Sequence, residues 1–121
     1  MSEIRVTTVS DTAGTGPVTL TGQYAAKAWV NFNGTGTVAI RESANVGSIT
    51  DNGTGLYTVN FSSSLTDANY SIATNGRDGS AAFVTSNFRY NVAPTSSSLA
   101  INTGSGGIFA DLDYVTVTVT R

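Results

Sequence analysis

The sequence predicts an all-β chain, an antiparallel β-sandwich of jelly-roll type with an extended N-terminal arm. Three observations carry that prediction: apolar residues recur with a period of two, Gly/Asn/Asp/Ser turn clusters recur every 8–12 residues, and no ten-residue window has apolar side chains at helical spacing. Short strands at that spacing, joined by such turns, suit a two-sheet stack. The 121 residues fit one domain with a single core. The reading divides the chain into an arm, 1–25, and a sandwich domain, 26–121.

Within the arm, Ile4–Val9 has strand character, whereas SDTAGTGPVTLTG is low in bulk and reads as an extended connection. Such an arm is suited to adding onto another chain's sheet edge. The segment GQYAAKA, Gly22–Ala28, is the nearest approach to a helix and allows one or two turns. In AKAWVNFN, Ala28, Val30 and Phe32 alternate with Lys27, Trp29 and Asn31, so one set faces the core and Trp29 faces away from it. NGTG makes a hairpin turn, after which Val38 and Ile40 continue the alternation. DNGTG closes a second hairpin, with a bulge, between Val46–Thr50 and Leu56–Phe61, in which Tyr57, Val59 and Phe61 share a face. Ala68–Thr74 is a further strand, and NGRDGS, Asn75–Ser80, reads as a turn-rich loop.

In the later half, Ala82, Val84 and Ser86 alternate with Phe83, Thr85 and Asn87, and the pattern leaves the inward face open. PTSSS is a loop before a short strand at Leu99–Asn102, and TGSGG, Thr103–Gly107, reads as a turn. The closing YVTVTVT is the clearest strand, with Val115, Val117 and Val119 on one side and Tyr114 and the threonines on the other.

Composition excludes several function classes. The chain lacks histidine and cysteine, so the commonest general base, the thiolate nucleophile and zinc thiolates are missing. Six cations, Arg5, Lys27, Arg41, Arg77, Arg89 and Arg121, are dispersed through a chain of net charge −2, which gives nucleic acid no footprint. No apolar run is long enough for membrane insertion, and MSEIRVTTVSDT has charges where a secretory signal needs an apolar core. Only 12% of residues are charged, a composition that suits a surface partly covered by other copies.

Catalytic constellations are sparse. Asp111 and Asp113 stand at i, i+2, where one strand face presents both, but two carboxylates are too few oxygens for a calcium loop. NGRDGS lacks the order and the closing Glu of an EF-hand, and the glycine clusters lack the Lys of a phosphate loop. Asn33, Asn52, Asn60 and Asn69 match the N-x-[ST] sequon, as an Asn/Thr-rich chain does by chance. No catalytic, cofactor or metal site is expected. The candidate contact residues are Trp29, as an anchor for assembly, and Arg77, Asp78, Arg89 and Tyr90, as a receptor-facing loop set.

AKAWVNFNGTGTVAIRESANVGSITDNGTGLYTVNF, followed by DANYSI, resembles a segment of the tail-fibre and virion structural proteins of tailed bacteriophages, marine and cyanobacterial phages included. MSEIRVTTVSDTAGTGPV is similar, more loosely, to the short starts of phage fibre proteins. The resemblance covers Ala26–Ile72, and the chain lacks the long shaft repeats of a complete fibre. It implies a non-enzymatic virion protein, made in the bacterial cytoplasm, homotrimeric, held to other phage proteins through residues 1–25. Host-receptor contact, including a cell-surface glycan, would then fall to the later loops. A lectin-like host-recognition module and a capsid decoration or head-fibre protein are the alternatives.

Overall fold

The computed structural model describes residues 2–10, 12–14, 25–80 and 84–121. Among the described residues, nine strands run in chain order: β1 Ala26–Asn33, β2 Ala39–Ala44, β3 Val46–Gly53, β4 Leu56–Phe61, β5 Ser71–Arg77, β6 Val84–Phe88, β7 Ser98–Ser105, β8 Ile108–Phe109 and β9 Tyr114–Thr120. One sheet has the order β2-β1-β9-β5 and the other β3-β4-β7-β6, with β8 paired to the end of β7. Every pairing is antiparallel. The expected β-sandwich is what the chain forms.

Period-two patterning builds the core. Ala28, Val30 and Phe32 of β1 and Val115, Val117 and Val119 of β9 are buried, and they meet Tyr57 and Val59 of β4 and Leu99 and Ile101 of β7. Phe32 and Tyr57 touch edge to face across the sheets, ring centroids 5.2 Å apart. Each fully buried side chain of this size contributes about 1.5–3 kcal/mol of transfer free energy. Leu112, wholly buried just before β9, joins the same cluster.

Both NG turns close hairpins, β1–β2 and β3–β4, and the second has its bulge between Asp51 and Gly53. At its tip Gly55 takes φ +67 and lies against the backbone of Thr103 and Ala110. Between the hairpins the chain crosses from one sheet to the other in a single residue, Asn45, with φ 54. An Asn tolerates that left-handed conformation better than most side chains.

Several local expectations are corrected. NGRDGS is not all loop: β5 continues through Asn75, Gly76 and Arg77, paired to Thr116, Val115 and Tyr114. Likewise TGSGG is not all turn, because β7 extends to Ser105 and only Gly106 and Gly107 reverse the chain. Polar and glycine residues are held extended here by a neighbouring ladder, which outweighs their weak strand propensity. Ala26–Ala28 is strand rather than helix; the rest of that GQYAAKA segment up to Tyr24 lies outside the described residues, as do Thr15–Thr21, Ala82 and Phe83. β2 starts at Ala39 and is almost wholly exposed: Val38, just before it, packs against the core, whereas Ile40 on the strand does not. Ile4–Val9 forms no strand within the chain, and its side chains are exposed. On β6, Val84 and Ser86 take the more buried side and Thr85 and Asn87 the outer one.

Candidate functional site

The outer face of the β2-β1-β9-β5 sheet is built by the residues left over from the core pattern. Register places Ala44, Trp29, Thr118 and Ala73 in one row across it, and Glu42, Asn31, Thr116 and Asn75 in the next. Trp29 thus lies among small side chains, with 37% of its surface exposed. At the end of this face Tyr114 carries two arginines, the Arg41 guanidinium 3.8 Å from the ring centroid and that of Arg77 at 5.6 Å. Arg41 also donates to the Asp113 carbonyl at 2.7 Å, and Arg77 pairs with the Asp113 carboxylate at 2.7 Å. A shallow cavity of about 240 Å³ opens beside Tyr114, between Asn75, Arg77 and Thr116.

A second concave surface lies on the other sheet. Tyr90, 64% exposed, stacks on Phe109 with planes 5° apart and centroids at 6.3 Å. Beside Phe109 a hollow of about 560 Å³ is lined by Thr85, Asn102, Gly104, Gly107 and Ile108. Its lining is uncharged, and it has one aromatic wall and two polar side chains, Thr85 and Asn102.

The receptor-loop set is therefore divided. Arg77 ends β5 and works on the Tyr114 side, whereas Arg89 and Tyr90 follow β6 on the other sheet, where the Arg89 amide donates to the Ala100 carbonyl at 3.0 Å. Asp78 accepts from the Ser80 amide and hydroxyl, and those bonds hold its carboxyl below the usual range. Sequence reasoning overlooked Tyr114 as a contact residue, although its parity in YVTVTVT already put it on the outer side. Phe109 had no such signal, since GGIFADL shows no period.

Asp111 and Asp113 serve different neighbours. Asp111 accepts from the Tyr57 hydroxyl at 2.6 Å and from the Gly55 amide at 2.7 Å, while Asp113 belongs to Arg77. The Tyr57 hydroxyl also lies 3.0 Å from the Gly34 carbonyl. Burial first, then the hydrogen bond to Asp111 and its charge, push the Tyr57 phenol above its ordinary value of 10.0. Its neutral form is thus favoured in the fold. The stability this gives is complete below pH 10.0 and is lost as the pH rises beyond, where the unfolded phenol ionises first. Tyr70, raised by burial, acts in the same direction. Urea midpoints should fall between about pH 9 and about pH 11, and Tyr57→Phe should flatten that decline. An equally steep decline in the variant would remove Tyr57 as the cause.

Among the described residues, no three His, Cys, Asp or Glu side chains stand close enough to hold a metal ion together. No protein-family model, curated protein or solved structure matches the chain.

Proposed function

We propose that the chain is a non-catalytic structural module of a phage virion, tail-fibre-like, a homotrimer attached to the particle through residues 1–25. The observation that carries this reading is Trp29. A lone indole, partly exposed on the outer sheet face among Ala44, Thr118 and Ala73, is a ready anchor for a second copy. The low charge and the exposed apolar side chains of the arm support it. Trp29→Ala should raise the dissociation constant of the assembly by about tenfold to a hundredfold, read by light scattering across a dilution series. Assembly unaffected by the substitution would remove Trp29 from the interface. Particles that still incorporate a chain lacking residues 1–25 would overturn the attachment role.

The second reading is a lectin-like module, favoured by the hollow beside the Tyr90–Phe109 stack. An aromatic wall with neighbouring amide and hydroxyl groups suits a neutral sugar, whose C–H faces pack on rings while its hydroxyls bond to Asn and Thr. A glycan array separates the two. Signal that Phe109→Ala abolishes would favour the lectin, and an array without signal would sink it.

A further inference from the structure

The two sides of the sandwich are closed in different ways. On the β2–β3 side, the Asn45 amide donates to the carbonyls of Lys27 at 3.0 Å and Ser63 at 3.1 Å, and its oxygen accepts from the Ser63 amide at 2.8 Å. The Ser43 hydroxyl adds a bond to the Val46 carbonyl at 3.2 Å. Both edge strands here have irregular register and carry charge, β2 with Arg41 and Glu42 and β3 with Asp51. Bulges and charges are the devices that keep foreign strands off an edge.

The β5–β6 side lacks them. Both strands pair with their neighbours in unbroken register, and Arg77, at the end of β5, is the only charge among the twelve residues of the two strands. One side-chain bond crosses the seam among the described residues, from the Thr74 hydroxyl to the Ser86 carbonyl. Around it lies a slot of about 310 Å³, lined by Thr74, Gly76, Val84, Ser86 and Asn87 among others. Hydrogen-bonded pairs alternate along an antiparallel ladder. Because the Arg89 amide bonds to Ala100, Asn87 and Thr85 also face β7, and the Ser86 peptide turns its N–H and C=O toward the seam. The Ser86 Oγ is buried there without a hydrogen-bond partner.

The arm has the complementary character. IRVTTV, Ile4–Val9, is rich in β-branched residues, and in an extended segment Ile4, Val6 and Thr8 share one side. Glu3 and Arg5, on the other side, pair with each other at 2.8 Å. Six extended residues span about 20 Å and the five of β6 about 17 Å. Within a single chain Ile4 is 89% exposed, so its own seam does not take it up.

We propose that Ile4–Val9 of one copy adds as an extra strand at the β5–β6 seam of a second copy. The inference rests on the reading of the chain as self-assembling and supplies that assembly with a joint. The Ser86 N–H gains an acceptor, and an arm N–H replaces the Thr74 hydroxyl on the Ser86 carbonyl. Val6 stands over the slot that holds the Ser86 Oγ, and Ile4 and Thr8, on the same side of the arm, reach the half-buried Ile72 and Val84 at the two ends of the seam.

The test uses a labelled peptide of residues 2–10, titrated by fluorescence anisotropy into a chain lacking those residues, whose core all lies after Ala26. Saturable binding is expected, together with a truncated chain of lower mass in solution than the full one. Ser86→Pro deletes the N–H that faces the seam and leaves the β7 ladder whole, so peptide affinity should drop at least about tenfold. The peptide with Val6→Lys, which cannot disturb the body, should drop comparably. No binding, or equal binding by both variants, overturns the proposal. A truncated chain that stays assembled overturns it too, while leaving the Trp29 reading standing. Full and truncated chains that are both monomeric would end both readings. A monomeric full chain whose Ser86 amide is protected from exchange means that the arm closes on its own body, which also overturns the proposal.

Discussion

Gly55→Ala should lower the thermal midpoint by roughly 15 °C, a loss on the order of 4 kcal/mol. At φ +67 an L side chain costs about 1–2 kcal/mol. A methyl group there would also overlap the Thr103 carbonyl and stand 2.8 Å from the Ala110 nitrogen. Both are backbone atoms, and both are committed: the Gly55 carbonyl accepts from the Thr103 amide at 2.8 Å, and the Thr103 carbonyl from the Ala110 amide at 3.2 Å. Neither can retreat without breaking a bond. Gly36→Ala is the matched control, with φ +62 and no atom within 4 Å of the added methyl, and should lose only about 1 kcal/mol. Equal losses at the two positions would mean that conformational strain, and not the close approach, governs Gly55.

Asp111→Ala should cost on the order of 3 kcal/mol in urea unfolding, because one carboxylate oxygen holds both the Tyr57 hydroxyl and the Gly55 amide. Its loss leaves that amide without a partner beside the packed hairpin tip. Tyr57→Phe alone should cost about 1–2 kcal/mol, and the double variant should fall short of the sum of the two by about 1 kcal/mol. Strict additivity would show that the carboxylate and the phenol do not act together. The expected loss of fold also gives Asp111 a role quite unlike that of an acid waiting for substrate.

How much of this was legible depended on how far apart the partners lie. The parity of Ala28, Val30 and Phe32 against Trp29, and of Val115, Val117 and Val119 against the threonines, could be read directly, because a strand sorts its side chains by odd and even position alone. The bulged DNGTG hairpin was readable for the same local reason. Asn75–Arg77 and Thr103–Ser105 were not, since their extended form comes from ladders to β9 and β6 rather than from their own residues. The role of Asp111 was hidden most deeply. It meets Tyr57 and Gly55 across 54 and 56 positions of chain, and ADLDY by itself shows only two acids. The same distance split the candidate contact set: Arg77 and Tyr90, 13 positions apart, ended on different sheets because β5 and β6 belong to different ladders.

The place of β9 has a consequence for the order of events during synthesis. It lies between β1 and β5, and its seven residues are among the last eight of the chain. Neither neighbour can complete its ladder until β9, made after both of them, joins the sheet, so this sheet is the later of the two to close. Pairings this distant in sequence fold slowly, in milliseconds to seconds. Through all of that time Ile4, Val6 and Val9, which precede β1 in the chain, have no finished body of their own beside them. A joint at the β5–β6 seam of another copy needs that copy's β9 in place to hold β5, which makes the folding of the accepting copy the timer for assembly.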